Sequence, residues 1–401
     1  MVGMRNAEID WLRGVAILMV IWDHVGEPFH PWVPPLFRGA HSVIDFFFVL
    51  SGYLAARSFL PTLPEFPSAA SGWTRLKGTL PAIRSFLGRR FIRLFPMAVL
   101  WAVLPWGISW LLGPSRIFGD ADAIGREVLA IVTFRYNYAI PFGLSNWLGH
   151  YWSLSIQEHF YFVFPFLFVL WTSPRARSWG LFLLIGVVAL GVRPLLANPI
   201  PQSNPMYWTW DWYASHRRLD GLLAGALLAV LRDGGWGARL SRLPAWAGNI
   251  ACLTLLTGTF VLCEAFSWEY MIRWGITWAV ALGFMTVFLA SLRAGFVPRG
   301  TWHAKALEHL GSISYGVYLI HVPMWRFVIV QADRWSILRS DSSRFVVTFV
   351  LTIAGAEVCF RTLERPMADW ALHWFGGRKP FQPSPIQGTM GLNFLPGSVH
   401  D

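Results

Sequence analysis

Apolar residues along the chain come in runs of roughly twenty, separated by short charged or proline-containing stretches. A helix that crosses the hydrocarbon core of a bilayer needs about 20 mostly apolar residues. The pattern predicts an all-α fold, a polytopic membrane helix bundle of about 10 transmembrane helices. We expect residues 1–370 to form this single domain and 371–401 to form a short cytoplasmic tail. The predicted spans are residues 10–29, 42–60, 95–112, 150–171, 179–197, 212–231, 245–265, 271–292, 311–332 and 343–362.

The stretch 124–141 is a weaker candidate, because four polar or charged residues, Glu127 among them, interrupt it. With ten spans and a cytoplasmic N-terminus, twenty basic residues fall in inner loops and six in outer loops. This asymmetry is the one that the positive-inside rule describes, so we expect both termini to be cytoplasmic. An eleventh span would place the C-terminal basic cluster outside. We therefore predict that 113–149 is an outer loop with a re-entrant piece.

Composition supports a membrane protein and excludes other classes. Apolar residues make up 55% of the 401 residues and charged residues 14%, whereas a soluble domain has about 25% charged residues. The net charge of +11 would suit a nucleic-acid partner, but the basic residues are spread over many loops instead of one face. The three cysteines lie in apolar runs without metal-ligand spacing. We predict neither a disulfide framework nor a metal site.

Ionisable residues occur within the predicted spans, where a charged side chain is costly and usually marks function. One interpretation is a polar cavity inside the bundle, and the other is interhelical pairing that only holds the helices together. These residues are Arg13, His24, Asp45, Glu158, Arg218, Asp220 and His321.

Arg13 and His24 lie eleven positions apart in the first span. On an α-helix this spacing puts them roughly 16 Å apart on the same face. An imidazole is suited to general base catalysis near neutral pH, although a hydrogen-bonded packing role is the alternative. Asp23 points about 100° away from His24, so we expect an orienting carboxylate, if any, to come from another helix.

The predicted inner loop before the third span carries a basic segment, residues 84–93. It could be a surface helix on anionic lipid or a phosphate clamp for an anionic donor, formed by Arg90 and Arg93. Histidines in the predicted loops, including His150 at the edge of a span, carry no signal of their own.

A set of motifs follows in order over about residues 5–370, and with it the chain resembles the acyltransferase-3 family of bacterial integral-membrane O-acyltransferases. Tyr53 stands where the family usually has Phe, and Gln157 where it commonly has Glu. The motifs are Arg13 and His24 with ten residues between them, Ser51-Gly52-Tyr53 after Asp45, Arg90-Phe-Ile-Arg93, Trp152-Ser-Leu before Glu158, Arg218-Leu-Asp220, the Tyr315 to His321 segment, and Glu364-Arg-Pro366.

The resemblance implies a multi-pass enzyme of the bacterial inner membrane. It would move an acyl group, most often acetyl, from cytoplasmic acyl-coenzyme A to a hydroxyl, commonly on a cell-envelope saccharide. Acyl-coenzyme A would be a co-substrate, with no bound cofactor. The partners would be membrane lipid, acyl-coenzyme A and a saccharide or other hydroxyl acceptor, without nucleic acid.

The resemblance and the basic segment together assign site residues in three groups. The expected catalytic residues are His24 as general base, Arg13 and Glu158. The expected donor-binding residues are Arg90, Arg93, Ser51, Gly52 and Tyr53. The residues expected to bind or support the acceptor are Trp152, Arg218, Asp220, Tyr315 and His321.

Several alternatives stay open at the level of sequence. A transporter or flippase for a lipid-linked sugar or another polar molecule would share the spans and the buried charges. Against it stands the lack of an obvious repeated half with broken helices. Direct transfer and a covalent acyl-histidine are both compatible with the residues. The acceptor could be a polysaccharide, a lipid-linked intermediate, a peptidoglycan sugar or a secondary metabolite.

Overall fold

The computed structural model describes residues 6–26, 43–112 except 68, 119–232 except 197, 200–202, 205 and 206, isolated positions between 246 and 258, 274–292, and 300–376 except 333. These residues form helices and connections, with no β-strand among them. The predicted all-α class is thus confirmed. The predicted span 245–265 lies largely outside the described residues, as do positions 377–401 of the predicted tail.

The helices are numbered here in chain order. The α-helices are α1 (Ala7–Val25), α2 (Val43–Phe59), α3 (Gly72–Leu112), α4 (Ala121–Val132), α5 (Tyr136–Ala139), α6 (Tyr151–Leu170), α7 (Pro174–Gly186), α8 (Tyr207–Tyr213), α9 (Ser215–Leu231), α10 (Ile276–Leu292), α11 (Trp302–Gln331), α12 (Asp341–Cys359) and α13 (Arg365–Phe375). A π-helical turn, Val187–Val192, and a last turn, Arg193–Leu195, extend α7. A second π-helical turn, Phe360–Glu364, joins α12 to α13.

Six helical segments of the described chain are long and apolar enough to cross a membrane, which makes the protein multi-pass. α1 has 19 residues but includes four charged ones, Glu8, Asp10, Arg13 and Asp23. α9 and α10 have 17 residues each. The total of about ten spans and the cytoplasmic side of the termini therefore stay predictions. The six segments are Val43–Thr62, Gly72–Leu111, Tyr151–Leu170, Pro174–Leu195, Trp302–Gln331 and Asp341–Phe375.

α3 is a single helix of 41 residues, although the sequence suggested a basic loop segment followed by a separate span. The basic segment 84–93 therefore continues directly into the predicted span 95–112. Three prolines, Pro81, Pro96 and Pro105, lie inside this helix. As a result, the arginines of the segment are presented by a continuous helix that enters the bundle.

α4 and α5 occupy the stretch where a re-entrant piece was predicted. Phe134, in the turn between them, packs with its ring centroid 5.7 Å from that of Phe95 in α3 and 5.8 Å from that of Phe162 in α6. Both partners lie in the middle of long apolar helices. The turn thus inserts between α3 and α6, as a re-entrant hairpin would.

Glycines bring two pairs of helices into backbone contact. A Cβ on Gly14 of α1 would meet the backbone of Leu307 in α11, and one on Gly311 would meet Asp10. Gly52 of α2 lies in the same way against Leu222 of α9. Small residues at helix crossings allow this close approach in membrane proteins. These crossings fix the positions of α1 and α2.

Two buried ion pairs connect α2, α9 and the end of α7. Arg193 Nη2 lies 2.6 Å from Asp220 Oδ2, and Arg218 Nη2 lies 2.9 Å from Asp45 Oδ1, with all four side chains at most 1% exposed. Arg193 also donates to the Thr277 hydroxyl of α10 at 2.7 Å. For Arg218 and Asp220, interhelical pairing accounts for the charge inside the bundle.

Replacing Asp220 by Ala should lower the free energy of unfolding by about 3–5 kcal/mol, because Arg193 would be left as an unpaired buried charge. Thermal unfolding of the detergent-purified protein measures this loss. The double variant Arg193→Leu with Asp220→Leu should recover most of it, since no lone charge remains.

The control variant is Asp341→Ala, which removes an exposed ion pair with Arg344 and should change stability by less than about 1 kcal/mol. An Asp220→Ala protein as stable as this control would show that the buried pair does not hold the helices together.

Candidate functional site

A cavity of about 340 Å³ lies between α2, α3, α6 and α11, with α13 at one end. Its arginine end is lined by Arg89, Arg90 and Arg93 of α3, and its tyrosine end by Tyr151 and Tyr318. Most of the remaining lining is apolar, with a few polar side chains between the two ends. Ligand sites in proteins commonly have this composition and a volume of the order of 300–1,000 Å³.

At the arginine end, Arg90 and Arg93 have different surroundings. Arg93 donates to the buried Glu364 carboxylate at 2.7 and 3.1 Å, so an acid already compensates its charge. The Arg90 guanidinium lies over the Tyr161 ring at 4.2 Å, and its Nε is buried without a hydrogen-bond partner within the described chain. Glu158 is near enough to attract the Arg90 charge but forms no ion pair with it within the described residues. Arg90 is therefore the better placed of the two to bind an anion that enters the cavity.

Polar groups from three helices line the middle of the cavity. Arg13 of α1 donates to the Ser314 hydroxyl of α11 at 2.8 Å and lies 3.5 Å from Asp10. Gln157 and Glu158 of α6 both line the cavity. Gln157 is uncharged and accepts a hydrogen bond from the Tyr161 hydroxyl at 3.3 Å. The acidic group that α6 contributes to the cavity is the neighbouring Glu158.

The tyrosine end is closed by hydrogen-bonded side chains. The Tyr318 hydroxyl donates to the His150 carbonyl at 2.8 Å and lies 2.6 Å from the Ser153 hydroxyl. Tyr151 donates to the Ala98 carbonyl at 2.8 Å. The Tyr318 ring also contacts His150 and His321, with ring centroids 5.7 and 5.5 Å away, and neither histidine lines the cavity. Tyr318 thus separates the cavity from these two histidines.

Beyond Tyr318 lies a histidine cluster, formed by His24, His321 and His150. The ring centroids of His24 and His321 are 4.9 Å apart, and those of His321 and His150 are 5.4 Å apart. His321 and His150 are buried, whereas the His24 side chain is 40% exposed. Within the described residues, no group of three or more side chains has an arrangement that could hold a metal ion.

Backbone carbonyls fix the tautomers of two of these rings. His24 Nδ1 lies 3.0 Å from the Val20 carbonyl oxygen, and His321 Nδ1 lies 2.7 Å from that of Tyr318. A carbonyl can only accept, so each Nδ1 carries the proton and each Nε2 of the neutral ring has a free lone pair. His24 thus has the tautomer that a general base needs.

The orientation of His24 differs in part from the expectation. Asp23 Oδ2 lies 3.7 Å from His24 Nδ1, which is ion-pair distance although it is too long for a hydrogen bond. Within the part of the chain that the structure describes, the group that orients the ring is the Val20 carbonyl, and no carboxylate from another helix contacts it. The partner from another helix is the imidazole of His321.

The other predicted site residues fall into two sets. Ser51 and Tyr315 line the cavity, and Tyr315 donates to the Leu94 carbonyl at 2.8 Å. Gly52 and Tyr53 do not line it. The Trp152 ring centroid lies 4.9 Å from that of Tyr213 and 5.5 Å from the Arg218 guanidinium carbon. These three residues, Trp152, Arg218 and Asp220, therefore belong to or pack against the two buried ion pairs described above, and none of them lines the cavity.

Sequence reasoning missed His150 and Glu127. The sequence places His150 with the loop histidines, and a histidine in a loop has no periodicity that distinguishes it. In the sequence Glu127 only interrupts an apolar stretch, yet it is buried and accepts four hydrogen bonds. The donors are the Tyr136 hydroxyl at 2.7 Å, the Ser145 hydroxyl at 2.5 Å, and the backbone N–H groups of Trp147 and Leu148 at 2.8 Å each.

These bonds hold the loop that leads into α6 and so position His150. Burial, together with the Glu127 carboxylate, raises the pKa of Tyr136 well above its ordinary value, so the phenol remains a hydrogen-bond donor. A signal for Glu127 would have been an acid followed closely by tyrosine and serine donors, but that pattern is too common to be specific.

Comparison with known proteins gives a consistent family. A sequence model described as an acyltransferase domain matches residues 6–361. The chain is 28% identical, over 92% of its length, to the peptidoglycan O-acetyltransferase OatA of Listeria monocytogenes, of which it covers 57%. No solved structure gives a significant match.

Two further relatives have provisional names. The chain is 25% identical over 96% of its length to a provisionally named O-acetyltransferase of Staphylococcus aureus, covering 61% of it. It is 26% identical over 96% of its length to YrhL of Bacillus subtilis, a provisionally named peptidoglycan O-acetyltransferase, covering 60% of it. The chain therefore spans about three-fifths of the length of the curated relatives that it matches.

Replacing Glu127 by Ala should destabilise the protein by at least about 3 kcal/mol, since several buried donors lose their acceptor at once. Glu127→Gln should cost less, because the amide oxygen can still accept. Thermal unfolding of the purified protein measures both, and Asp122→Ala, at an exposed position of α4, is the control. Equal stability of all three variants would contradict the assigned role of Glu127.

Proposed function

The chain belongs to the acyltransferase-3 family, and on that premise we propose that it transfers an acetyl group from cytoplasmic acetyl-coenzyme A to a hydroxyl of a cell-wall saccharide. One observation carries the proposal: the cavity runs from the Arg90 guanidinium to Tyr318, and the Tyr318 ring contacts the histidine cluster. The named activities of the similar proteins from Listeria monocytogenes and Bacillus subtilis support a saccharide of peptidoglycan as the acceptor.

The arginine end suits the phosphates of the donor. Arg90, with Arg89 beside it, offers guanidinium groups, which bind phosphate oxygens in pairs. The apolar walls beyond it suit the uncharged pantetheine arm. The thioester would then lie near Arg13 and Tyr318, where the Arg13 cation can stabilise negative charge on the carbonyl oxygen. Arg93, which Glu364 already pairs, would act mainly by holding α3 to α13.

His24 is the proposed general base. Its Nε2 takes the proton of the acceptor hydroxyl, and the hydroxyl oxygen attacks the thioester carbonyl carbon. The carbon–sulfur bond then breaks, and the imidazolium returns the proton to the departing thiolate. The acetyl ester and free coenzyme A are the products. Because Tyr318 stands between the cavity and His24, its ring must turn aside before the thioester reaches the base.

Replacing His24 by Ala should abolish transfer of radiolabel from acetyl-coenzyme A to envelope saccharide in membranes that contain the protein. Loss of the base removes proton abstraction, while the buried pairs and glycine contacts that hold the fold remain. Membrane abundance and thermal stability should match the wild type.

The exposed His303→Ala variant serves as the control and should keep full activity. Retained transfer by His24→Ala would remove this residue from the mechanism. Radiolabel that crosses the membrane while the acceptor stays chemically unchanged would instead indicate a transporter.

Replacing Arg90 by Ala should raise the KM for acetyl-coenzyme A about tenfold or more, with a smaller change in kcat, because a charged hydrogen bond to phosphate is worth about 1.5–3 kcal/mol. Steady-state kinetics with purified protein measures both constants. Arg84→Ala removes a cation from the same helix outside the cavity and should leave the donor KM unchanged. A donor KM that is the same in both variants would exclude Arg90 from donor binding.

A further inference from the structure

Two buried imidazoles of the histidine cluster have nitrogen atoms without partners. His321 is fully buried, and its Nε2 makes no hydrogen bond within the described residues. His150 is 2% exposed, and neither of its ring nitrogens has a hydrogen bond of normal geometry there. The His150 ring N–H is directed at the Leu319 backbone carbonyl in a contact of poor geometry, and its other ring nitrogen has no partner among the described residues.

The chemistry of these atoms defines what can bind them. His321 Nε2 is a lone-pair acceptor, because its Nδ1 donates to the Tyr318 carbonyl. A neutral His150 ring has one N–H donor and one acceptor. A buried polar atom without a partner costs about 1–3 kcal/mol, and a lipid chain offers no hydrogen bond. Because the His150 N–H faces the Leu319 carbonyl, the unpartnered nitrogen of each ring is an acceptor. A ligand that fits this pair must therefore supply two O–H donors.

Both rings are held in place before any ligand binds. The His150 carbonyl accepts from Tyr318, and the four hydrogen bonds to Glu127 fix the loop just before it. The Tyr318 carbonyl holds His321. The His321 ring contacts both His24 and His150, so a ligand bound to the buried pair lies beside the proposed base. Side chains that are already fixed lose less conformational entropy when a ligand binds.

We propose that His321 and His150 form the subsite that holds the acceptor saccharide, with His150 as a specificity residue outside the motifs that carry the family resemblance. His321 Nε2 accepts from one substrate hydroxyl, and the unpartnered His150 ring nitrogen accepts from a neighbouring substrate hydroxyl. The matching substrate class is a polyhydroxylated acceptor, since a simple alcohol cannot satisfy both rings. This inference rests on the proposed function, in which His24 deprotonates the reacting hydroxyl.

The test uses the full-length protein in nanodiscs with radiolabelled acetyl-coenzyme A and chitotriose as the acceptor probe. His150→Phe keeps an aromatic ring, somewhat larger than imidazole, and removes both nitrogens. It should raise the KM for chitotriose at least about tenfold and leave the KM for acetyl-coenzyme A within twofold of wild type. His150→Gln keeps one donor and one acceptor, so its KM for chitotriose should lie between those of the wild type and His150→Phe.

His309→Phe is the matched control, because that exposed histidine on α11 binds Glu357 away from the cluster. It should leave both KM values unchanged. Thermal stability is measured for every variant. If His150→Phe does not fold, the same two KM values are measured for the double variant His321→Gln with His150→Gln.

The outcomes separate the two proposals. An unchanged chitotriose KM in an active His150→Phe protein overturns the subsite and leaves the proposed function standing. A lower kcat with an unchanged KM for chitotriose also overturns the subsite. It would indicate that His321 and His150 hold a structural water molecule instead. Wild-type protein that does not acylate chitotriose, or that acylates it equally well without His24, overturns both.

Discussion

The structure depends on one constraint: polar and charged side chains inside a membrane bundle need partners, because neither lipid nor an apolar core supplies them. Arg193 and Arg218 have buried acids as partners, and Glu127 has four hydrogen-bond donors. Several buried polar atoms of the described residues have no hydrogen-bond partner, and Arg90 Nε and His321 Nε2 are two of them. These two lie at the two ends of one path, where a substrate can act as the missing partner.

The path has a barrier at Tyr318. On one side, an apolar cavity with arginines at its mouth fits a long anionic thioester. On the other side, three imidazoles fit a hydroxylated acceptor. The Tyr318 hydroxyl is bonded to Ser153 and to the His150 carbonyl, so opening the barrier breaks two hydrogen bonds. Such a barrier would keep the donor from water until an acceptor is bound, which limits wasteful hydrolysis.

The helical class, the multi-pass character and the family followed from the sequence because run length and ordered motifs are local properties. Arg13, Ser51, Glu158 and Arg90 were placed at the site on the same basis, and all line the cavity. Partner choice could not be read in the same way. Nothing local shows that Arg218 is neutralised by Asp45, that Gly52 faces Leu222, or that His150 packs against His321. These contacts depend on how distant helices cross.

The most direct measurement of the central claim is a cryo-electron microscopy map of the protein with a non-hydrolysable thioether analogue of acetyl-coenzyme A. The account predicts phosphate density against Arg90 and an acyl group that ends beside Tyr318, within one side-chain rotation of the His24 imidazole. Analogue density outside this cavity, or an empty path between Tyr318 and α3 at saturating analogue, would contradict it.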